Sequence, residues 1–328
     1  MSLLHLAARH TRTAITGLLA LALVTLVAGP AAGSAARDPG LRPGLPAAGR
    51  SGGGFPVTIT TRYGKVRILR RPDRVISLSP TATEMLFAIG AGRQVVAVDN
   101  DSNYPPGVPR TSLSGYTPNV EAIAGYKPDL VVISYNPTPP NLVASLRLLD
   151  IPVLYLPAAA DLSQTYGEIA TLGRATGQVR GAQAEIAAMR RQIAQIVATV
   201  PRRRRPLTYF YEIGSSPLYT ATADTFIGSV LSLAGLRNIA GASVHGSDYP
   251  QFSSEVVVRD NPTFVFVADG TPVRQIAKRP GWSSLAAVRD HRVVELDQDI
   301  ASRWGPRVVD LLRAVVAAVD RVPVKAAA

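Results

Sequence analysis

The segment that decides the fold is Arg74-Val-Ile-Ser-Leu-Ser-Pro-Thr-Ala-Thr-Glu84-Met-Leu-Phe-Ala-Ile-Gly90. Its apolar run Val75–Leu78 predicts a buried strand. The tetrad Thr-Ala-Thr-Glu at residues 81–84 has the form of a capping box, which predicts a short helix that ends at Gly90. Val95–Val98 predicts the next strand, so the segment is a strand–helix–strand unit.

Strands and helices continue to alternate on both sides of this unit. Val57–Thr61 and residues 65–69 alternate around Tyr63-Gly64 and predict a β-hairpin. Leu130–Ile133 predicts a strand, residues 141–149 a helix and residues 153–156 a further strand. This order predicts a parallel sheet that is covered on both faces.

The middle of the chain has a helical pattern. Residues 161–199 carry almost no strand signal, and the apolar spacing over residues 178–200 predicts one long helix. Such a helix is about 33 Å long at 1.5 Å per residue. Pro201 and four arginines at residues 202–205 end it, and strands and helices resume at residue 207.

A weak internal repeat relates the two halves. The stretch that begins at Glu121 matches the stretch that begins at Glu255. In each, six residues separate the glutamate from a proline, which begins the run Pro128-Asp-Leu-Val or Pro262-Thr-Phe-Val. Both stretches predict a short helix, a proline turn and a buried strand. The predicted fold class is therefore α/β, with two Rossmann-like lobes of mostly parallel sheets, one long α-helix between them and a ligand cleft between the lobes. We predict an N-terminal lobe at 57–160, a helical connector at 161–205 and a C-terminal lobe at 206–328.

The composition excludes several classes of function. The chain has 328 residues and no Cys, which excludes disulfide scaffolds, Cys-bound zinc, iron–sulfur clusters and thiol catalysis. His245 and His291, the two histidines beyond residue 36, are too few for a His-rich metal site. The sequence has no P-loop, dinucleotide fingerprint or nucleophile elbow, so we expect neither a catalytic residue nor a cofactor.

The chain is basic, with a formal net charge of +12. A positive surface favours anionic ligands, lipid headgroups or wall polymers. Nucleic acid is not an expected partner, because the basic residues are scattered and no aromatic side chains are interleaved with them.

The N-terminal residues predict export. Arg9, His10 and Arg12 precede 14 apolar residues at 15–28, and small residues follow, with a predicted cleavage site after Ala36. A membrane span needs about 20 residues, so the apolar run is short for one. We expect an export signal at 1–36, cleaved or kept as an anchor, and a flexible linker at 37–56. Because no Cys follows the apolar run, we predict a periplasmic or cell-surface protein that is not a lipoprotein.

Candidate ligand contacts follow the predicted strands, at the edge where α/β sheets bind ligands. They combine aromatic faces with an ion-pairing guanidinium, which suits a large, flat or amphipathic anionic ligand. They are Asp101, Tyr116, Tyr135, Tyr249, Asp299, Arg303 and Trp304. A structural pair between Asp299 and Arg303 is expected as well. Glu121 and Glu255 each lie in the first turn of a predicted helix, a position that the helix dipole favours by itself.

Several motifs together resemble a known family. The chain resembles the periplasmic-binding proteins of cobalamin, ferric-siderophore and haem ABC importers. The resemblance is carried by the segment 74–90, by Asn103-Tyr-Pro-Pro, and by Asn119-Val-Glu-Ala-Ile followed by Lys127-Pro-Asp-Leu-Val. The resemblance covers roughly residues 73–320. It implies that Glu121 and Glu255 dock on the two permease subunits. It also implies that the three tyrosines are cleft aromatics and that Asp299 and Arg303 form a polar pair at the cleft edge.

The resemblance implies an extracytoplasmic solute-binding protein, and not an enzyme. Its ligand would be a metal chelate, either a cobalamin-like corrinoid or a ferric siderophore, delivered to an ABC permease dimer with its ATPase. Haem is a further candidate, for which His245 is the residue available as an axial ligand. A monomer suffices for this role. The alternative is a ligand-sensing module that presents its bound form to a membrane receptor without transport.

Overall fold

The computed structural model describes residues 54–134, 141–243 and 246–324. The predicted export signal, most of the predicted linker, Tyr135 and His245 lie outside the described residues. In the described part, no helix is both long and apolar enough to cross a bilayer.

The N-terminal lobe contains a four-stranded parallel sheet in the order β4-β3-β5-β6 and a separate antiparallel hairpin, β1-β2. Each strand of the parallel sheet is short and mostly buried, as expected for a sheet covered on both faces. The elements are β1 (Val57–Thr61), β2 (Gly64–Ile68), β3 (Val75–Leu78), α1 (Pro80–Ala88), β4 (Val95–Val98), α2 (Val120–Gly125), β5 (Leu130–Ile133), α3 (Leu142–Leu148) and β6 (Val153–Tyr155).

Two helices follow, α4 (Leu162–Thr176) and α5 (Val179–Ala198). Gly177 separates them in the left-handed conformation, with φ 74°. The predicted long helix over residues 178–200 is confirmed as α5, one or two residues shorter at each end. Gly181 of α5 lies against α1, because a Cβ at this position would be 2.0 Å from the carbonyl oxygen of Ile89.

The C-terminal lobe is built on a five-stranded sheet. Its elements are β7 (Leu207–Ser215), β8 (Leu218–Thr220), α6 (Phe226–Leu233), β9 (Leu236–Asn238), α7 (Ser254–Asp260), β10 (Phe264–Val267), α8 (Val273–Ile276), α9 (Ala286–Arg289), β11 (Val293–Glu295), α10 (Gln298–Ala301) and α11 (Val308–Asp320). Strands β9, β7, β10 and β11 are parallel neighbours in that order, and β8 pairs antiparallel with the end of β7.

The internal repeat predicted from the sequence is confirmed by the topology. The order β9-β7-β10-β11 corresponds to β4-β3-β5-β6, and in each sheet the strand that comes first along the chain, β7 or β3, lies between two parallel neighbours. In both halves a short helix and a proline turn lead into a buried strand, α2 into β5 and α7 into β10. The fold is therefore α/β with two related parallel sheets. The residue boundaries predicted for the lobes and the connector stay predictions.

The predicted capping box is wrong. Helix α1 begins at Pro80, and the hydroxyl of Ser79, not of Thr81, accepts the hydrogen bond from the amide of Ala82 at 3.2 Å. Proline is favoured at the first helical position, since it lacks the N–H that would have no partner there. Because of this shift by two residues, Glu84 has no capping role. It lies in the middle of α1, and its side chain is buried.

Candidate functional site

Arg303 joins the two lobes at the carboxyl-terminal edge of the sheets. Its side chain is only 7% exposed. Its guanidinium donates to Asp299 at 2.7 Å in its own lobe, and to Asn103 at 2.9 Å and the carbonyl of Asp101 at 3.2 Å in the other lobe. Asn103 in turn donates to Asp299 at 2.6 Å. The expected Asp299–Arg303 pair is therefore present, and it is part of a contact between the lobes.

Glu84 completes this arrangement, although the sequence did not point to it. Its side chain is 1% exposed and accepts from Arg303 at 2.8 Å. Arg307 donates to both of its oxygens, at 2.5 and 3.0 Å. We refer to Glu84, Asn103, Asp299, Arg303 and Arg307 as the inter-lobe cluster. The cluster connects α1 of the N-terminal lobe with the segment that leads into α11.

Trp304, a predicted ligand contact, is held by the connector helix α4. Its indole nitrogen donates to the Glu168 carboxylate at 2.9 Å, and the hydroxyl of Thr165 donates to its carbonyl at 3.1 Å. The ring is partly buried against the large hydrophobic core. The segment 299–307 is thus attached to α1 through Arg303 and to α4 through Trp304.

Glu168 is a buried acid with one unpartnered oxygen, Oε1. Burial raises the pKa of Glu168 from 4.5 to about 8, against the lowering effect of the Trp304 hydrogen bond. The folded protein therefore binds this proton more tightly than the unfolded chain does. The contribution of Glu168 to stability is complete below pH 4.5 and is lost as the pH rises through about 8.

Asp99 supports the loop that carries Asp101 and Asn103. Its carboxylate accepts from the amide of Ser102 at 2.9 Å, and the Ser102 hydroxyl lies 2.9 Å from that of Thr83 on α1. Burial raises the pKa of Asp99 to about 6. This buried polar group fixes the loop that contacts Arg303.

Of the three tyrosines predicted to contact a ligand, the two that the structure describes are exposed. Tyr116 is 58% exposed and Tyr249 is 49% exposed, and both precede a short helix at the carboxyl-terminal edge of a sheet. Large exposed aromatic side chains are suited to binding a ligand surface. Tyr104 is a further exposed ring at this edge, with the Arg307 guanidinium 4.3 Å from its centroid. Asp101 is exposed as well, and its side chain makes no described contact with Arg303.

Glu121 and Glu255 occupy equivalent positions in the two lobes. Each is an exposed residue of the first turn of its short helix, α2 or α7. The predicted caps are confirmed: Asn119 accepts from the amide of Ala122 at 2.8 Å, and Ser253 accepts from that of Glu255 at 3.2 Å. The Ser253 hydroxyl also donates to the Glu255 carboxylate and thereby lowers its pKa. Both carboxylates are accessible to a partner.

Among the described residues, no group of three or more His, Asp or Glu side chains is arranged to hold a metal ion. The side chains at this edge are instead aromatic rings, paired guanidinium groups and carboxylates.

Comparisons with known proteins agree with this architecture. Residues 75–300 match the family model described as periplasmic binding protein. An uncharacterized ABC transporter substrate-binding lipoprotein, YvrC of Bacillus subtilis, is 31% identical over 263 residues, which are 78% of this chain and 83% of that protein. A cobalamin-binding protein of Halobacterium salinarum is 34% identical over 269 residues, 78% of this chain and 72% of that protein. The structure of the periplasmic heme-binding protein RhuT from Roseiflexus sp. RS-1 superimposes with a TM-score of 0.66 and 25% identity, over 75% of this chain and 99% of that chain.

Two related sheets joined by a connector and meeting at a polar edge define a two-lobed binding protein. The chain belongs to the periplasmic binding protein family. This family and these relatives are binding proteins and not enzymes, as the sequence predicted. Membership implies an ABC permease with its ATPase as partner and a small molecule as ligand.

The prediction that the protein is not a lipoprotein is wrong. A relative that shares 31% identity over most of both chains is itself named a substrate-binding lipoprotein. The prediction rested on the absence of Cys after the apolar run, and that absence does not separate the chain from a family that includes lipoproteins. An extracytoplasmic location is consistent with the relatives.

Proposed function

We propose that the protein captures a metal chelate, a cobalamin-like corrinoid or a ferric siderophore, and delivers it to the permease of an ABC importer. The observation that carries delivery is the equivalent placement of Glu121 and Glu255, each exposed and capped in the first turn of a short helix. Two related lobes that present one carboxylate each fit a partner made of two similar subunits.

The chelate class is supported by Tyr116 and Tyr249. Their exposed rings offer apolar faces, and the exposed ring of Tyr104 lies at the same edge of the sheets. Such a surface suits a ligand that is broad and partly apolar. The relatives named for cobalamin and haem bind ligands of this general shape, which adds support.

The test is charge reversal by Glu121→Lys and Glu255→Lys, with Glu295→Lys as control, because Glu295 is an exposed acid on β11. Chelate affinity is measured by calorimetry, and uptake is measured in vesicles that contain the permease and ATPase. We expect affinity within about twofold of wild type and uptake lowered about tenfold or more, since rim charges control association with a partner more than ligand binding does. The control leaves both unchanged.

Three results contradict the proposal in different ways. Loss of chelate affinity in either variant would place that glutamate in the ligand site and remove its docking role. Normal uptake with both charges reversed would show that the carboxylates do not dock. Normal binding without any transport by the wild-type protein would favour the ligand-sensing function instead.

A further inference from the structure

The arginine run Arg202–Arg205 lies at the end of the C-terminal lobe opposite to Glu255. Parallel strands have their amino termini at one edge of a sheet, and the run leads directly into the start of β7. Glu255 lies near the carboxyl-terminal edge, at the start of α7. The nine residues of β7 separate the two edges by roughly 30 Å at 3.3 Å per residue.

Arg203 fixes the run to the last helix. Its guanidinium donates to the carbonyls of Pro323 at 3.0 Å, Val319 at 3.3 Å and Val322. These carbonyls belong to the end of α11 and the residues after it, where a cation is favoured. One arginine of the four is therefore structural, and it attaches the run to the end of α11.

Arg202, Arg204 and Arg205 are exposed, and none of them forms an ion pair with a described residue. Arg321 is exposed as well, and it lies within the segment whose carbonyls Arg203 contacts. We call Arg202, Arg204, Arg205 and Arg321 the basic pole. Two other arginines at this edge are already paired, Arg259 with Asp260 at 2.8 Å and Arg292 with Asp290. The basic pole, by contrast, forms no ion pair with a described residue.

We propose that the basic pole binds a phosphodiester polymer outside the membrane and leaves the opposite edge of the lobe free. Arginine forms paired hydrogen bonds with phosphate oxygens, and neighbouring guanidinium groups match the repeated charges of such a polymer. A membrane surface fits less well, because residues 201–206 contain only proline and arginine and no aromatic or leucine side chain to enter the lipid. The orientation also agrees with the proposed docking by Glu255, which would face the pole away from the permease.

The experiment measures binding of the full chain to a synthetic glycerol-phosphate polymer and to vesicles of phosphatidylglycerol and phosphatidylcholine in equal amounts. The test variant is R202Q/R204Q/R205Q, which keeps Arg203. The control is R67Q/R93Q/R191Q, three exposed arginines elsewhere with the same change in net charge. R202K/R204K/R205K keeps the charge and removes the guanidinium geometry. Thermal unfolding confirms that all variants fold.

We expect the test variant to lose about tenfold or more in affinity for the polymer, and the control to lose much less. The slope of log affinity against log salt should fall by about 2, at roughly 0.7 for each of three lost phosphate contacts. The lysine variant should keep most of that slope and lose part of the affinity. Equal losses in test and control variants would overturn the proposal, as would binding to the vesicles with none to the polymer. Because the polymer is not the transported ligand, either failure leaves the proposed chelate function untouched.

Discussion

Glu84→Gln should destabilise the fold strongly, because it removes the single negative charge buried between two guanidinium groups. The Glu84 side chain is 1% exposed, against 7% for Arg303 and 15% for Arg307. Both oxygens accept from arginine, so the amide nitrogen of glutamine would face a donor whichever way it turned. Breaking a buried ion pair from one side costs about 3–5 kcal/mol. Arg303 retains Asp299 and Asn103, so we expect a value near the lower end, about 3 kcal/mol.

The assay is urea unfolding at pH 7 and 25 °C, followed by tryptophan fluorescence. A loss of about 3 kcal/mol corresponds to a melting temperature lower by roughly 4–5 °C for a chain of this size, since the entropy of unfolding is about 2.1 cal/mol/K per residue. Glu295→Gln, an exposed acid on β11, is the matched control and should change stability by less than about 0.5 kcal/mol. A double-mutant cycle with Arg307→Gln should give a coupling of about 1 kcal/mol or more. A loss below about 1 kcal/mol for Glu84→Gln would refute the view that this cluster stabilises the contact between the lobes.

Three further predictions follow from single positions. Gly181→Ala should lower the free energy of unfolding by about 1–3 kcal/mol, because its Cβ would meet the carbonyl of Ile89 at the end of α1. Gly167→Ala in α4, where the added Cβ meets no atom within 4 Å, should raise it by about 0.5–1 kcal/mol. Thermal unfolding measures both, and a change of the same sign in the two variants would contradict this prediction. Glu168→Gln should remove the share of the fall in stability between pH 5 and 8 that this carboxyl contributes, on the order of 4 kcal/mol, as pH-dependent urea unfolding will show; an unchanged slope would contradict the raised pKa. Tyr116→Ala and Tyr249→Ala should each weaken chelate binding about tenfold with unchanged melting temperature, and unchanged affinity in calorimetry would remove them from the ligand site.

The elements that were predicted from the sequence depend on local patterns. The apolar runs of β3, β4 and β5, and the caps Asn119 and Ser253, are each determined within a few residues. The repeat was visible for the same reason, since a helix, a proline turn and a strand fit within about ten residues. Local chemistry was therefore sufficient for the fold and for the placement of Glu121 and Glu255.

The inter-lobe cluster could not be predicted in this way. Glu84 and Arg303 are separated by 219 positions, and no local pattern connects them. The capping motif around Glu84 was misleading because Ser79 and Thr81 are both good cap residues, and Pro80 decided between them. Glu168 was missed because a lone acid on a helix indicates a solvent-facing side chain, whereas here it is buried and bonded to Trp304, 136 positions away.

The most direct test of the account is ligand binding by the wild-type protein. Cobalamin, cobinamide, haem and a panel of ferric siderophores, each with its metal-free partner where one exists, are screened by thermal shift and confirmed by calorimetry. We predict that one class, a corrinoid or a ferric siderophore, binds, and that at 100 times its dissociation constant it adds about 2.7 kcal/mol of stability. Flat curves across the panel from folded protein would contradict the assignment as a metal-chelate carrier.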